Sequence, residues 1–226
     1  MKSNAKRLLV ATTNRGKLRE ILALLAGLPF DVVTLAYYPN LAAPPEAGHT
    51  FAENARAKAL FYAAGTGELT VAEDSGLEID ALDGAPGVES ARFGGTATSY
   101  PEKFALVYEA LRARGTATST ARFVCALALA IDGTIVFETR GTIEGHIAPE
   151  PRGEGGFGYD PIFFYPPFGR TLAEAEVIDQ KSTVSHRGEA FRALRTFLEH
   201  FDVEGTAGAG EREHAERQPE SRRRRS

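Results

Sequence analysis

The segment from residue 12 to residue 17 has the composition of an anion-binding turn. Its members are Thr12, Thr13, Asn14, Arg15, Gly16 and Lys17. An apolar run precedes it and a helical pattern follows, so the backbone N–H groups of a helix start should face a ligand here. Hydroxyl and amide donors and the charge of Lys17 suit a polyphosphate. The alternative is a plain capped turn with a surface lysine, since the pattern of a Walker loop is missing.

Two adjacent acids, Glu73 and Asp74, follow the apolar run 69–72. We predict that this run is a strand ending at the acids, where ligands collect in an α/β sheet. Adjacent strand residues point to opposite faces, but a bend at the strand end can bring both carboxylates to one site. Carboxylate oxygens are the ligands that Mg²⁺ prefers, together with waters and phosphates. Glu46 or Glu53 could add a carboxylate, although a capping role explains Glu53. The pattern favours Asp74 as a functional residue over an ordinary loop acid.

A glycine cluster interrupted by aromatic residues occupies residues 153–161. Glycine permits a close approach of the backbone to a ligand. The ring of Phe157 could stack on a base, and Asp160 could accept hydrogen bonds from ring N–H groups. The alternative is a tight entry into a strand, with Phe157 and Tyr159 in the core.

A second cationic helix start is predicted at residues 181–187. Lys181 and the pair His186 and Arg187 provide donors and positive charge, and the planar fork of Arg187 could reach a purine carbonyl. His186 by itself is more typical of a surface or capping residue. Helix starts at both ends of the chain could therefore contribute to one nucleotide site.

The elements that must position these residues alternate between strand and helix patterns. Asp132 and Gly133 indicate a hairpin between two long strands, while the other strands alternate with helices. This mixture predicts an α/β protein with a mixed sheet. The predicted strands are 8–12, 31–35, 69–72, 121–131 and 134–143, and the predicted helices are 15–25, 51–64, 101–114 and 187–201.

Composition sets the broad class of the protein. The 226 residues are 43% hydrophobic and 25% charged, with one cysteine and a net charge of -4. These values are typical of a soluble globular protein. The lack of an apolar run of about 20 residues argues against a membrane span, and the negative net charge argues against a stable nucleic-acid partner. The N-terminal residues lack the apolar core of a signal peptide, so we expect a cytoplasmic location. Residues 1–203 are predicted to form one domain, and 204–226 a disordered charged tail.

Six stretches, in order, resemble the inosine triphosphate pyrophosphatase family. They are LLVATTNRGKLREI, TFAENARAKA, AEDSGLEIDAL, ARFVCAL, GEGGFGYDPIFF and KSTVSHRGEA. The resemblance implies a long, curved, mixed β-sheet flanked by helices, with two lobes and a central cleft, in a homodimer. It also implies hydrolysis of noncanonical purine nucleoside triphosphates (ITP, dITP, XTP) to the monophosphate and pyrophosphate, with Mg²⁺ as cofactor.

The resemblance also implies roles for individual residues. Asp74 matches the proton acceptor and, with Glu46, the acidic positions linked to the metal. Glu73 stands where many bacterial members have Asp, so it is a third candidate metal ligand. Which of Glu46 and Glu73 contacts the metal is left open. The matching substrate contacts are the turn 12–17, with Asn14 and Lys17 foremost, then Ser75, Phe157, Gly158, Tyr159, Asp160, Lys181, His186 and Arg187.

Two other functions compete with this interpretation. A pyrophosphatase of the Maf-like group would act on pyrimidine nucleotides. A protein that only binds nucleotide or RNA could use the cationic turns and the run of arginines at 222–225. The presence of Glu46, Asp74 and Lys17 argues against a simple binding protein, which has no need of metal-binding carboxylates facing phosphates.

Overall fold

A computed structural model describes residues 6–175 and 184–201. Four α-helices lie wholly within these residues: α1 (Arg15–Leu25), α2 (Phe51–Thr66), α3 (Tyr100–Ala113) and α4 (His186–Leu198). The seven strands are β1 (Arg7–Val10), β2 (Asp31–Thr34), β3 (Leu69–Ile79), β4 (Thr120–Ile131), β5 (Thr134–Ile147), β6 (Phe163–Tyr165) and β7 (Arg170–Thr171). No helix among the described residues is long and apolar enough to cross a membrane.

The seven strands form one mixed sheet in the order β2-β1-β3-β4-β5-β6-β7. Strand β1 is parallel to both β2 and β3, and every later pairing is antiparallel. The predicted hairpin joins β4 to β5, and both turn residues, Asp132 and Gly133, have positive φ, as the tight primed turns require. The predicted mixed α/β fold is therefore confirmed.

The helices cover both faces of the sheet. Helices α1 and α4 pack on one face over an apolar cluster that includes Leu8, Val71 and Leu127. Helix α2 packs on the opposite face over small residues of β3 and β4. A third cluster, beneath α3, fills the other end of the long strands. The middle of β3 and β4 thus lies between these three apolar clusters.

Side chains at the helix starts explain where α1 and α2 begin. Asn14 Oδ1 accepts hydrogen bonds from the N–H groups of Gly16 (2.9 Å) and Lys17 (3.1 Å). At α2, Thr50 Oγ1 accepts from Glu53 N (3.1 Å), and Glu53 Oε2 accepts from the N–H of residue 49 (2.7 Å). Such caps satisfy backbone donors that the helix itself leaves open. The predicted capping role of Glu53 is confirmed.

The prediction that a strand ends at residue 72 is wrong. Strand β3 continues to Ile79 and pairs with β4 throughout, with Glu73 opposite Leu127 and Asp74 opposite Ala126. The polar residues do not end the strand because β4 supplies hydrogen bonds along its length, and local propensity yields to such tertiary pairing. The two acids therefore lie in mid-strand, and their side chains point to opposite faces of the sheet.

Candidate active site

The predicted motifs meet at one cleft of about 290 Å³. The turn before α1, the middle of β3, the loop before β6 and the start of α4 all border it. The predicted residues that line the cleft are Thr12, Thr13, Asn14, Lys17, Glu46, Glu73, Asp74, Ser75, Phe157, Gly158, Tyr159, Asp160, His186 and Arg187. Arg15 and Gly16 are not among the lining residues. Lys181 lies outside the described residues.

Glu73 points to the α1 and α4 face and is paired with two cations. Its Oε1 lies 3.2 Å from Lys17 Nζ and accepts hydrogen bonds from Arg187 Nε and Nη2, both at 3.3 Å. The side chains of Glu73 and Arg187 are 1% and 2% exposed. Burial by itself would raise the pKa of Glu73, but the charges of Arg187 and Lys17 outweigh it and hold that pKa far below its usual range. Glu73 is therefore a buried carboxylate.

Arg187 is held on its other side by α1 and β3. Its Nη1 donates to Glu20 Oε2 at 2.6 Å, and its Nη2 donates to Ser75 Oγ at 2.9 Å. Among the described residues, the formal charges of the ion cluster formed by Glu73, Glu20, Lys17 and Arg187 sum to zero. Glu20 was not predicted, since its partner is 167 residues away and no local pattern links them.

Asp74 points to the α2 face and has different partners. Its Oδ2 accepts from Asn54 Nδ2 at 3.0 Å, and its Oδ1 accepts from Lys58 Nζ at 2.9 Å. The same Nζ lies 2.5 Å from Glu46 Oε1. Glu46 and Asp74 thus share one ammonium group, although 28 positions separate them.

The loop that carries Glu46 has no regular secondary structure, and hydrogen bonds fix it in place. Arg92 Nη1 donates to Glu46 Oε2 at 2.8 Å, and the N–H of residue 48 donates to Asn54 Oδ1 at 2.8 Å. Burial would raise the pKa of Glu46, but Lys58 and Arg92 outweigh it and lower that pKa. Burial would lower the pKa of Lys58, yet Asp74 and Glu46 together raise it. Glu46 and Lys58 are therefore both charged.

Asn54, Lys58 and Arg92 were missed in the sequence. A signal existed for the first two, because Asn54 and Lys58 are four residues apart in a predicted helix and so must share a face. In the sequence, the Ala-rich stretch around them was interpreted only as a helix with a capped start. Arg92 lies in a turn-rich segment, where no periodicity gives a direction to a side chain.

The loop before β6 is partly core and partly cleft. Tyr159 is buried, and its hydroxyl donates to the Ser90 carbonyl oxygen at 3.0 Å. Asp160 Oδ2 accepts from the backbone N–H of Phe157 at 2.8 Å, which fixes the turn. For Tyr159, the predicted alternative of a core position describes its packing, although the residue also lines the cleft.

Phe157 lies against the start of α1. A Cβ added to Gly16 would come within 2.9 Å of the Phe157 ring, closer than carbon atoms approach without displacement. The guanidinium carbon of Arg187 lies 5.7 Å from the centre of the same ring, within the range of a cation–π contact. Gly16 therefore contributes by its lack of a side chain. His186 is buried and stacks on Phe123 at 5.1 Å between ring centres.

The carboxylates of Glu46 and Asp74 could hold a hard divalent cation such as Mg²⁺. Glu46 and Asp74 offer hard oxygen donors that already converge on a single cation, Lys58. Mg²⁺ is commonly bound by one or two carboxylates with substrate phosphates. Glu73 is on the other face of β3 and is committed to Lys17 and Arg187, so it is less suited to the same ion. Among the described residues no group of three or more His, Cys, Asp or Glu could hold a metal.

Known proteins are similar to this chain in sequence. The sequence model of the Ham1 family matches residues 8–197. A dITP/XTP pyrophosphatase of Exiguobacterium sp. is 50% identical over 188 residues, which cover 83% of this chain and 94% of the relative. A dITP/XTP pyrophosphatase of Gloeobacter violaceus is 48% identical over 187 residues, covering 83% and 91%.

Solved structures of Ham1 proteins are also similar to this chain. A HAM1 protein from Coxiella burnetii superposes with a TM-score of 0.80 at 39% identity, covering 87% of this chain and all of that chain. A nucleoside-triphosphatase, dITP/XTP pyrophosphatase, from Mycobacterium abscessus gives a TM-score of 0.65 at 39% identity, covering 83% and 97%. The resemblance predicted from the six stretches is confirmed: the chain belongs to the Ham1 family.

Proposed function

We propose that this chain hydrolyses noncanonical purine nucleoside triphosphates, namely ITP, dITP and XTP, to the monophosphate and pyrophosphate with Mg²⁺. The observation that carries the proposal is the meeting of a cationic turn, a convergent acid pair and an aromatic loop at one cleft. Relatives that cover most of the chain are dITP/XTP pyrophosphatases. Water attacks the α-phosphorus, and the bond from that phosphorus to the oxygen bridging the α and β phosphates breaks.

We assign the metal to Glu46 and Asp74. These two residues would hold Mg²⁺, which would supply charge neutralisation for the polyphosphate and for the leaving pyrophosphate. Arg92 and Asn54 hold the outer oxygens of the two carboxylates and so fix their planes. Asp74 also accepts the proton of the attacking water. Glu73 then serves the site indirectly, by holding Lys17 and Arg187.

We assign the phosphates to the turn before α1 and the base to the Phe157 loop. Lys17 lies near the cleft with its ammonium on Glu73, so it is placed to attract a polyanion. Phe157 offers a flat ring for stacking. The remaining assigned substrate contacts that line the cleft are Thr12, Thr13, Asn14, Ser75, Gly158, Tyr159, Asp160 and His186. For Arg15, Gly16 and Lys181 the assignment rests on the family resemblance alone.

Arg187 supports selectivity for a 6-oxo purine. Within the described residues, Glu73, Glu20 and Ser75 accept from four of its five N–H donors. One N–H of Nη1 is left for a substrate carbonyl oxygen. A 6-amino group would meet a donor instead of an acceptor, which is an unfavourable pairing in a buried site.

Pyrophosphate release from a substrate panel tests this function. The panel contains ITP, XTP, ATP, GTP, dTTP and UTP, each with Mg²⁺ and with EDTA. We expect release from ITP and XTP only when Mg²⁺ is present. Preference for dTTP or UTP would instead support the pyrimidine alternative, and tight ITP binding without turnover would support a binding protein.

The assembly and location of the protein belong to the same proposal. We infer a homodimer in the cytoplasm, in which residues 1–203 form the catalytic domain. Residues 204–226, predicted as a charged tail, lie outside the described residues and are assigned no role in catalysis. Sedimentation of the full chain tests the dimer, which predicts twice the mass of one chain.

A further inference from the structure

Every carboxylate oxygen of the Glu46 and Asp74 pair already has a hydrogen-bond donor. The two outer oxygens accept from Arg92 and Asn54, and the two inner oxygens both accept from Lys58. The inner contacts, at 2.5 Å and 2.9 Å, are the only ones of the four that bridge the pair. Lys58 therefore occupies the point on which the two carboxylates converge.

The ion pair between Lys58 and Asp74 is largely shielded from water. The side chain of Lys58 is 13% exposed and that of Asp74 is 9% exposed, so water screens their interaction only weakly. A divalent cation held by both inner oxygens cannot share that point with a positively charged group. The long, flexible stem of lysine allows its ammonium to move, whereas the contacts of Arg92 and Asn54 can persist.

We propose that Lys58 is the resident cation of the metal site, and that it must leave the two carboxylates when the metal enters and then bind the anionic substrate. This inference rests on the proposed function, since it takes Glu46 and Asp74 as the metal ligands. Metal and polyphosphate are then coupled: the metal releases Lys58, and the phosphates provide its new partner. Such coupling is reciprocal. The factor by which bound metal strengthens polyphosphate binding is also the factor by which bound polyphosphate strengthens metal binding. Free metal alone binds weakly.

A purely structural role for Lys58 predicts a different result. In that case removal of its charge would leave two carboxylates repelling each other, lower the melting temperature and weaken every ligand. The proposal instead predicts opposite changes for the free metal and for the metal with a polyphosphate. Opposite signs cannot result from general loosening of the fold.

The test uses Mn²⁺ as the metal probe and inorganic pyrophosphate as the polyphosphate. Lys58→Met keeps the length of the side chain and removes its charge. Calorimetric titration should show that the variant binds free Mn²⁺ about tenfold more tightly or better, given the size of charge interactions within 4 Å. It should bind the preformed Mn²⁺–pyrophosphate complex several-fold more weakly. Lys17→Met is the matched control, because it removes a cleft ammonium from Glu73 and should leave the affinity for free Mn²⁺ nearly unchanged.

Each outcome decides between the possibilities. If Lys58→Met binds free Mn²⁺ no more tightly than the native protein, the resident-cation inference is overturned. If it does bind more tightly, Asp74→Asn added to Lys58→Met should abolish the gain. Failure of Asp74→Asn and Glu46→Gln to change Mn²⁺ binding in either background would instead refute the assigned metal site. If Lys58→Met does not fold, Lys58→Gln, which retains a hydrogen-bond donor, serves the same comparison.

Discussion

Replacing Glu73 with glutamine tests the buried ion cluster of Glu73, Glu20, Lys17 and Arg187. The change keeps the shape of the side chain and removes one negative charge, so a neutral set becomes a set with one uncompensated positive charge. Removing one partner of a buried ion pair typically costs about 3–5 kcal/mol. Glu20 still accepts from Arg187 at 2.6 Å, so we expect the lower end, about 3 kcal/mol. For a domain of this size that is a fall in melting temperature of about 6–12 °C.

The loss should depend on pH with a definite sign. The pKa of Glu73 is depressed in the folded protein by Arg187 and Lys17, so its stabilising contribution is complete above its unfolded pKa of about 4.3. As the pH falls below that value, the contribution decreases, because the unfolded state takes up the proton first. The difference in melting temperature between the native protein and Glu73→Gln should therefore be largest near neutral pH and shrink below about pH 4.

The assay is thermal unfolding at several pH values, with Glu138→Gln as the matched control. Glu138 forms an exposed ion pair with Arg56, and exposed pairs contribute little to stability. Glu73→Gln should lose clearly more stability than this control at neutral pH. Equal losses in the two variants, or a difference that does not shrink in acid, would refute the argument that buried charge balance stabilises this region.

Four further outcomes are expected. Asp74→Asn should retain the fold and lose more than about 90% of turnover at saturating Mg²⁺, about 1.4 kcal/mol of barrier; steady-state kinetics would contradict the assignment if more activity remained. Arg187→Lys keeps the charge but loses the fork, so the ratio of kcat/KM for ITP over ATP should fall about tenfold or more, and an unchanged ratio would remove Arg187 from base selection. Gly16→Ala should displace the Phe157 ring and raise the KM for ITP with less effect on kcat, while an unchanged KM would contradict the packing argument. Deleting residues 204–226 should leave kcat/KM and melting temperature unchanged, and a lower melting temperature would mean that this segment packs on the domain.

Local patterns in the sequence were sufficient to predict much of the fold. Helix α1 was predicted at its observed bounds, because apolar spacing and the Asn14 cap agree there. The β4–β5 hairpin was also predicted, since Asp132 and Gly133 carry a strong turn signal. By contrast, the continuation of β3 past residue 72 depends on pairing with β4, some 50 residues later, which no local window contains.

The candidate site was predicted as a set of residues but not as a set of pairs. Composition and resemblance indicated Glu46, Glu73 and Asp74 without separating them. Glu73 and Asp74 have different partners because neighbouring side chains of a strand point to opposite faces. That argument needs both acids to lie within β3, which the sequence did not predict. The partnership of Glu20 with Arg187 depends on the packing of α1 against α4 and has no signal in either segment.

The placement of Glu73 and Asp74 on opposite faces of β3 has a consequence for how activity appears during folding. The β3–β4 alignment runs from Thr70 opposite Ala130 to Ile79 opposite Ala121. A slip of one residue would turn every β3 side chain to the other face, bringing an acid of the wrong length to Lys58 and leaving Arg187 to face the other acid. A misaligned chain is thus wrong at once on the face that we assign to the metal and on the face that carries Arg187 and Lys17. Catalytic competence should arise in a single step, when the central strands lock into alignment.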